Sequence, residues 1–144
     1  LEKIDRLFVY GSLMRGEARA RLVATAKSIE RATAVGHLYA LAEGYPALIA
    51  SDGGGIVVGE LLTFDAIGSL LVQLDDYEGF DPKRPDASLF LRVSLEAHPI
   101  WGPPVLAYAY VMPRAKEPQL IAAGAVRVAD GRWSSKAYAL GKGR

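Results

Sequence analysis

The sequence predicts an α+β fold: a small mixed β-sheet, bent and partly closed, with short helices at its rim. Three observations carry that prediction. Apolar runs of β-branched and aromatic character recur in hairpin-like succession, separated by glycine, proline and aspartate clusters. Only two stretches carry clear helical spacing, too few for a regular alternation of strand and helix. The 144 residues suffice for a single domain, 1–144, whose core needs no disulfide or metal clip.

The elements follow in chain order. Asp5 to Tyr10 is an apolar run suited to a buried strand. Glycine and serine then turn the chain, and a helix is expected over Glu17 to Lys27, where Ala18, Leu22, Val23 and Ala26 recur at helical spacing and arginines take the other face. Ser28 to Ala40 reads as a long strand bent at Gly36, and Tyr45 to Ala50 as a short one whose Pro46 suits an edge or an entry. The run Ser51-Asp52-Gly53-Gly54-Gly55 turns it into a strand over Ile56 to Phe64, so a hairpin is expected. Asp65 is placed to cap a second helix running to Tyr77, with Gly79 as its stop. Asp81 to Asp86 holds two prolines and no periodicity, hence a loop. Strands over Leu89 to Ala97 and Val105 to Met112 flank the turn Trp101-Gly102-Pro103-Pro104. Pro113 to Pro118 reads as a loop, and beyond it a short strand or helix is expected around Val126 and Trp133.

Composition removes several function classes. The net charge is +1 and the cations are scattered, Arg15, Arg19 and Arg21 being the densest group. Such a surface offers no footprint for a nucleic-acid backbone or an anionic membrane. With no cysteine, disulfides, thiolate chemistry and cysteine-ligated zinc drop out. No apolar run approaches the roughly 18 residues of a membrane span, and the opening residues lack the order of a signal peptide, so a cytoplasmic location is expected.

Two features carry chemistry. In Tyr10-Gly11-Ser12-Leu13, the glycine permits close approach of a ligand, and the amides of Ser12 and Leu13 are candidates to face an anion. Gly11 and Gly16 have the spacing that opens a phosphate-binding loop, but Glu17-Ala18 stand where lysine and a hydroxyl would hold phosphate and magnesium. A carboxylate suits the loop better; the plain alternative is that the glycines only turn the chain. The second feature is Glu78. At about 100° per residue, Leu70, Leu71 and Leu74 fall within roughly 60° of Ile67, and Glu78 returns to roughly 20° whereas Asp76 lies near 180°. An unpartnered carboxylate on a buried stripe is costly or raises its own pKa. The alternative is that the helix ends at Asp75 and Glu78 turns to water or pairs with Arg92. Asp75, Asp76 and Glu78 make a poor metal set, because helical geometry sends Asp76 away; Ser12 has no motif tying it to His37 or His98.

The chain also resembles the γ-glutamylcyclotransferase-like family, which includes γ-glutamylamine cyclotransferases and the AIG2-like proteins. Phe8-Val9-Tyr10-Gly11-Ser12-Leu13 is similar to the family's opening signature. Gly36-His37-Leu38-Tyr39 with Gly44-Tyr45-Pro46-Ala47-Leu48, then Val58-Gly59-Glu60-Leu61, then Leu74 to Phe80, follow in the family's order. Tyr108-Ala109-Tyr110-Val111 and Gly131-Arg132-Trp133 resemble its closing strand and tail.

The resemblance implies a barrel-like sheet with a pocket at its mouth, no cofactor and no metal. It implies that Tyr10, Gly11, Ser12 and Leu13 bind the α-carboxylate of a small γ-glutamyl-type substrate, and that Glu78 is the general acid/base in a cyclisation giving 5-oxoproline. The expected partner is that small molecule, with the protein a monomer or weak homodimer. A non-catalytic pocket and an interaction adaptor are the competing readings. Tyr110 is a candidate pocket hydroxyl, with strand packing as its alternative; Arg92 either orients Glu78 or braces the sheet. Phe90 replaces a tyrosine that many members carry two residues before the strand arginine.

Overall fold

The computed structural model describes residues 3–137. Five strands close into a ring in the order β2 (Ser28–Ala40), β4 (Gly55–Thr63), β1 (Arg6–Val9), β6 (Val105–Val111) and β5 (Leu91–Pro99), and β5 returns to β2. All these pairings are antiparallel except β1 with β6. The closing contact is short, Ala32 opposite Pro99 and Thr33 opposite His98. Two further strands, β3 (Pro46–Ala50) and β7 (Val126–Arg127), pair with the second half of β2. The α+β, bent and barrel-like expectation is thus the observed architecture.

Strand alternation sorts the core into two sides. Phe8 and Tyr10 turn inward among Ala32, Ala34, Ala97, Ala107 and Ala109, contributed by strands around the ring. Small side chains here leave room for the aromatic rings inside a narrow barrel. Leu7 and Val9 turn outward and are covered by α1 (Ile67–Glu78) through Ile67, Leu70, Leu71 and Leu74. Gly59 is required where β4 lies against β1, since a Cβ there would run into the Val9 carbonyl oxygen and the Phe8 ring.

Three local expectations are corrected. The helix expected over Glu17 to Lys27 is a single 3-10 turn at Ala20–Val23, because its flanking amides bond elsewhere: Arg19 N–H to the Ser12 carbonyl and Lys27 N–H to that of Thr63. Asp65 does not cap α1; Ala66 holds that position, and the Asp65 carboxylate pairs with Lys27 at 2.9 Å. The stretch read as loop up to Pro118 instead starts α2 (Glu117–Ala122), with Pro118 in the first turn, where its missing N–H costs nothing. Among the described residues no helix is long and apolar enough to cross a membrane.

Candidate active site

The bend after β1 is folded by its own backbone. Met14 N–H donates to the Gly11 carbonyl, Glu17 N–H to Met14 and Arg19 N–H to Ser12, at 2.8–3.0 Å. Arg15 is drawn sideways to Glu60, the cross-strand neighbour of Val9, whose Oε1 accepts the Arg15 N–H and whose Oε2 accepts Nε, both at 2.9 Å. No acceptor among the described residues receives the Ser12 or Leu13 N–H. Glu60 thus anchors the bend, a role that sequence reading missed although Val58-Gly59-Glu60-Leu61 was among the segments carrying the resemblance.

Gly11 answers first to packing. A Cβ on it would come within 2.6 Å of the Pro46 ring, so the glycine lets β3 start directly against the bend. Tyr10 is buried with its hydroxyl fully used, donating to the Tyr110 carbonyl at 2.7 Å and accepting Leu48 N–H at 3.2 Å. Burial, and then the nearby Glu78 carboxylate, push this phenol's pKa upward.

Glu78 is the last residue of α1. Gly79 follows in the left-handed region (φ 71°), its N–H on the Asp76 carbonyl, while Phe80 N–H reaches the Asp75 carbonyl at 2.8 Å. This double closure keeps the helix wound through Glu78 and holds its side chain on the buried stripe. No group among the described residues donates to its carboxylate. Removal from water therefore acts unopposed and raises its pKa from 4.5 to about 7.

Asp75, one turn earlier, is supplied instead: Tyr110 Oη donates to its Oδ1 at 2.7 Å and Arg92 Nε approaches the same oxygen at 3.3 Å. Arg92 also lies over the rings of Phe80 and Tyr108 and is not on the cavity wall. Sequence reasoning offered Glu78 as a partner for Arg92; the ion pair goes to Asp75.

These parts meet around one cavity of about 320 Å³. Its lining includes Tyr10, Gly11, Ser12 and Leu13 from the bend, Tyr77 and Glu78 from the end of α1, and Tyr45, Phe90 and Tyr110. Ser12 Oγ and the Tyr77 hydroxyl stand 3.5 Å apart, tying the bend to the last turn of α1. Phe90 packs against Tyr45, with ring centroids 6.2 Å apart. Among the described residues no group of three or more histidines or acids converges as a metal-ligand set. The arrangement has the parts for binding an anion beside a carboxyl group that takes or gives a proton near neutrality.

Residues Leu7 to Ser135 match the family described as γ-glutamyl cyclotransferase, AIG2-like. Over 58 residues the chain is 48% identical to a protein of Halalkalibacterium halodurans whose name assigns it provisionally to the γ-glutamylcyclotransferases. That match spans 40% of this chain and only half the length of the relative. In shape the chain is similar to YkqA from Bacillus subtilis, with TM-score 0.64 and 20% identity over 99% of this chain and 44% of that one. It is similar also to an AIG2-like protein from Mus musculus, with TM-score 0.65 and 21% identity over 83% of this chain and 84% of the other. At these identities the likeness in shape establishes the fold.

Proposed function

Because the chain belongs to the γ-glutamyl cyclotransferase, AIG2-like family, we propose that it is a cyclotransferase that converts a γ-glutamyl amide into 5-oxoproline and a free amine, with Glu78 as general acid/base. The observation that carries this reading is the single cavity onto which both the bend Tyr10 to Leu13 and Glu78 open.

The α-carboxylate of the substrate sits on the amides of Ser12 and Leu13, which have no acceptor among the described residues. That anchor leaves the α-ammonium and the γ-carbonyl to be folded toward each other within reach of Glu78. Fixing the two reacting groups of one molecule contributes several kcal/mol toward the barrier. Glu78 takes a proton from the ammonium, and the freed nitrogen attacks the γ-carbonyl carbon to form the ring C–N bond. The tetrahedral intermediate collapses with cleavage of the bond to the amine. Both protons lost by the ring nitrogen finish on the departing amine, so Glu78 is regenerated as carboxylate.

An ordinary glutamate, with pKa about 4.3, is a weak base toward an ammonium group. Burial without a partner narrows that gap, which is the reason for keeping the acid on the apolar stripe. Tyr110 and Arg92 act one step back, through Asp75, on the helical turn that carries Glu78. Tyr10 contributes its backbone and ring, its hydroxyl being spent inside the barrel.

The test is direct. The protein is incubated with γ-glutamyl amines and γ-glutamyl dipeptides, and 5-oxoproline is measured, with Glu78→Gln as the control. Release by the native protein and loss in the variant are expected. Equal turnover by the variant, or no 5-oxoproline from any compound, would overturn the reading.

A further inference from the structure

The reaction leaves one atom without a partner. As the nitrogen attacks, negative charge gathers on the γ-carbonyl oxygen, while the bend amides hold the α-carboxylate and Glu78 handles the proton. Resting on the reading just given, we propose that the side-chain hydroxyls of Ser12 and Tyr77 form the oxyanion hole, both donating to that oxygen as it becomes charged.

Of the tyrosines on the cavity lining, Tyr77 is the one whose hydroxyl reaches the bend with its proton unspent. Tyr10 and Tyr110 are buried and donate elsewhere, to the Tyr110 carbonyl and to Asp75. Tyr45 packs on Phe90 and also lines a neighbouring cavity. Tyr77 is 43% exposed, so its ring adds little to the core, and its hydroxyl stands 3.5 Å from Ser12 Oγ. That separation is longer than a well-formed O–H···O bond, and neither hydroxyl has another partner among the described residues.

The spacing suits one shared acceptor. An oxygen set between two donors 3.5 Å apart can stand at about 2.7–3.1 Å from each. Ser12 belongs to the bend, and Tyr77 to the last turn of α1, one position before Glu78 and about 100° from it around the helix. The pair therefore borders the cavity between the anchor and the acid. In the ring being formed, only the α-carbon and the nitrogen separate the carboxylate from the γ-carbonyl carbon. The charged oxygen thus lies a few ångströms from the Ser12 and Leu13 amides, within the compass of a hydroxyl on Ser12 itself and of its neighbour on Tyr77. Neither hydroxyl gives up its proton; each hydrogen bond tightens as charge builds and relaxes when the amine leaves.

Two variants test the assignment, Tyr77→Phe and Ser12→Ala, each removing one hydroxyl and leaving the bend amides. With γ-glutamylethylamide as substrate, each is expected to lower kcat by about tenfold to 10²-fold with KM within about threefold. Binding supplies a readout free of turnover. On Glu78→Gln, calorimetry compares γ-glutamylethylamide with phosphinothricin, the glutamate analogue whose tetrahedral methylphosphinate puts an anionic oxygen at the γ position. The phosphinate is expected to bind more tightly; adding either substitution weakens it about tenfold and the planar amide by less than about threefold. The inference is overturned if either substitution leaves kcat within about threefold of native, or if it weakens both ligands equally, as loss of a mere strut between bend and helix would. A phosphinate that binds no tighter than the planar amide overturns it as well. If the native protein releases no 5-oxoproline from any amide, the proposed reaction fails, while the phosphinate comparison still decides what the two hydroxyls do.

Discussion

Two glutamates at the ends of two helices show opposite solutions to the same problem. Glu117, the first residue of α2, is largely withdrawn from solvent but receives Tyr39 Oη at 2.6 Å and His37 Nδ1 at 2.8 Å. These hydrogen bonds, Tyr39's first, hold its carboxyl below the ordinary range. Glu78, the last residue of α1, is also turned inward, receives nothing among the described residues, and rises to about 7. Its helix opposes it too, because the C-terminal end of a helix disfavours an anion. Burial alone therefore says little about an acid's state; its donors decide. Where the protein supplies them, the acid fastens one element to another. Where it withholds them, the acid faces a cavity and stays available for a proton.

The comparison breaks first at turnover. Glu78→Gln is expected to lower kcat by about 10²–10⁴ while the intact amide still binds, whereas Glu117→Gln changes kcat by less than about threefold. Steady-state release of 5-oxoproline from both variants measures it, and similar losses would erase the distinction.

Stability separates the pair next. Between about 4.5 and about 7 the folded protein holds a proton on Glu78 that the unfolded chain has released. Folding stability is thus undiminished below that window and falls as pH rises through it. In Glu78→Gln this cost disappears, so denaturant titration at about pH 8 should find the variant more stable by something on the order of 2–3 kcal/mol, shrinking toward zero near pH 4.

Glu117 has the opposite sign. Its contribution is present above the ordinary carboxylate pKa and is lost as pH falls through the lower folded value. Glu117→Gln should therefore destabilise by about 1–2 kcal/mol at neutral pH, an effect that fades in acid; a constant difference across pH would contradict the assignment. The smallest effect is at Tyr110. Tyr110→Phe removes the donor at 2.7 Å from Asp75 but leaves Arg92 in place. A loss of about threefold to tenfold in kcat/KM is expected, with the helix content by circular dichroism unchanged.

Much of this was legible in the residues. The strand Ser28–Ala40 runs between the very limits its pattern suggested, since hydrophobic alternation and the glycine-rich turn at Ser51 to Gly55 are local signals. Glu78 announced itself by falling in phase with Ile67, Leu70 and Leu74, because the helix is regular and is stopped only at Gly79. The segment after the bend misled for the opposite reason: its apolar spacing is helical, yet the bend and the adjoining strand claim the amides of Arg19 and Lys27. Partners distant in sequence were out of reach. Nothing local says that Glu60 folds the bend back through Arg15, that Asp75 and not Glu78 receives Arg92, or that β5 closes onto Ala32 and Thr33. Each depends on how far the sheet curls, a property of the whole ring.

The most direct single measurement is a carbon-13 carboxyl titration of the folded protein by NMR, resolving Glu78 and Glu117 in one experiment. A midpoint near 7 for Glu78 is expected, with Glu117 titrating below the ordinary glutamate range. If Glu78 titrates at an ordinary 4.5, burial is not holding it in reserve, and its assignment as the proton-transferring group loses its physical basis.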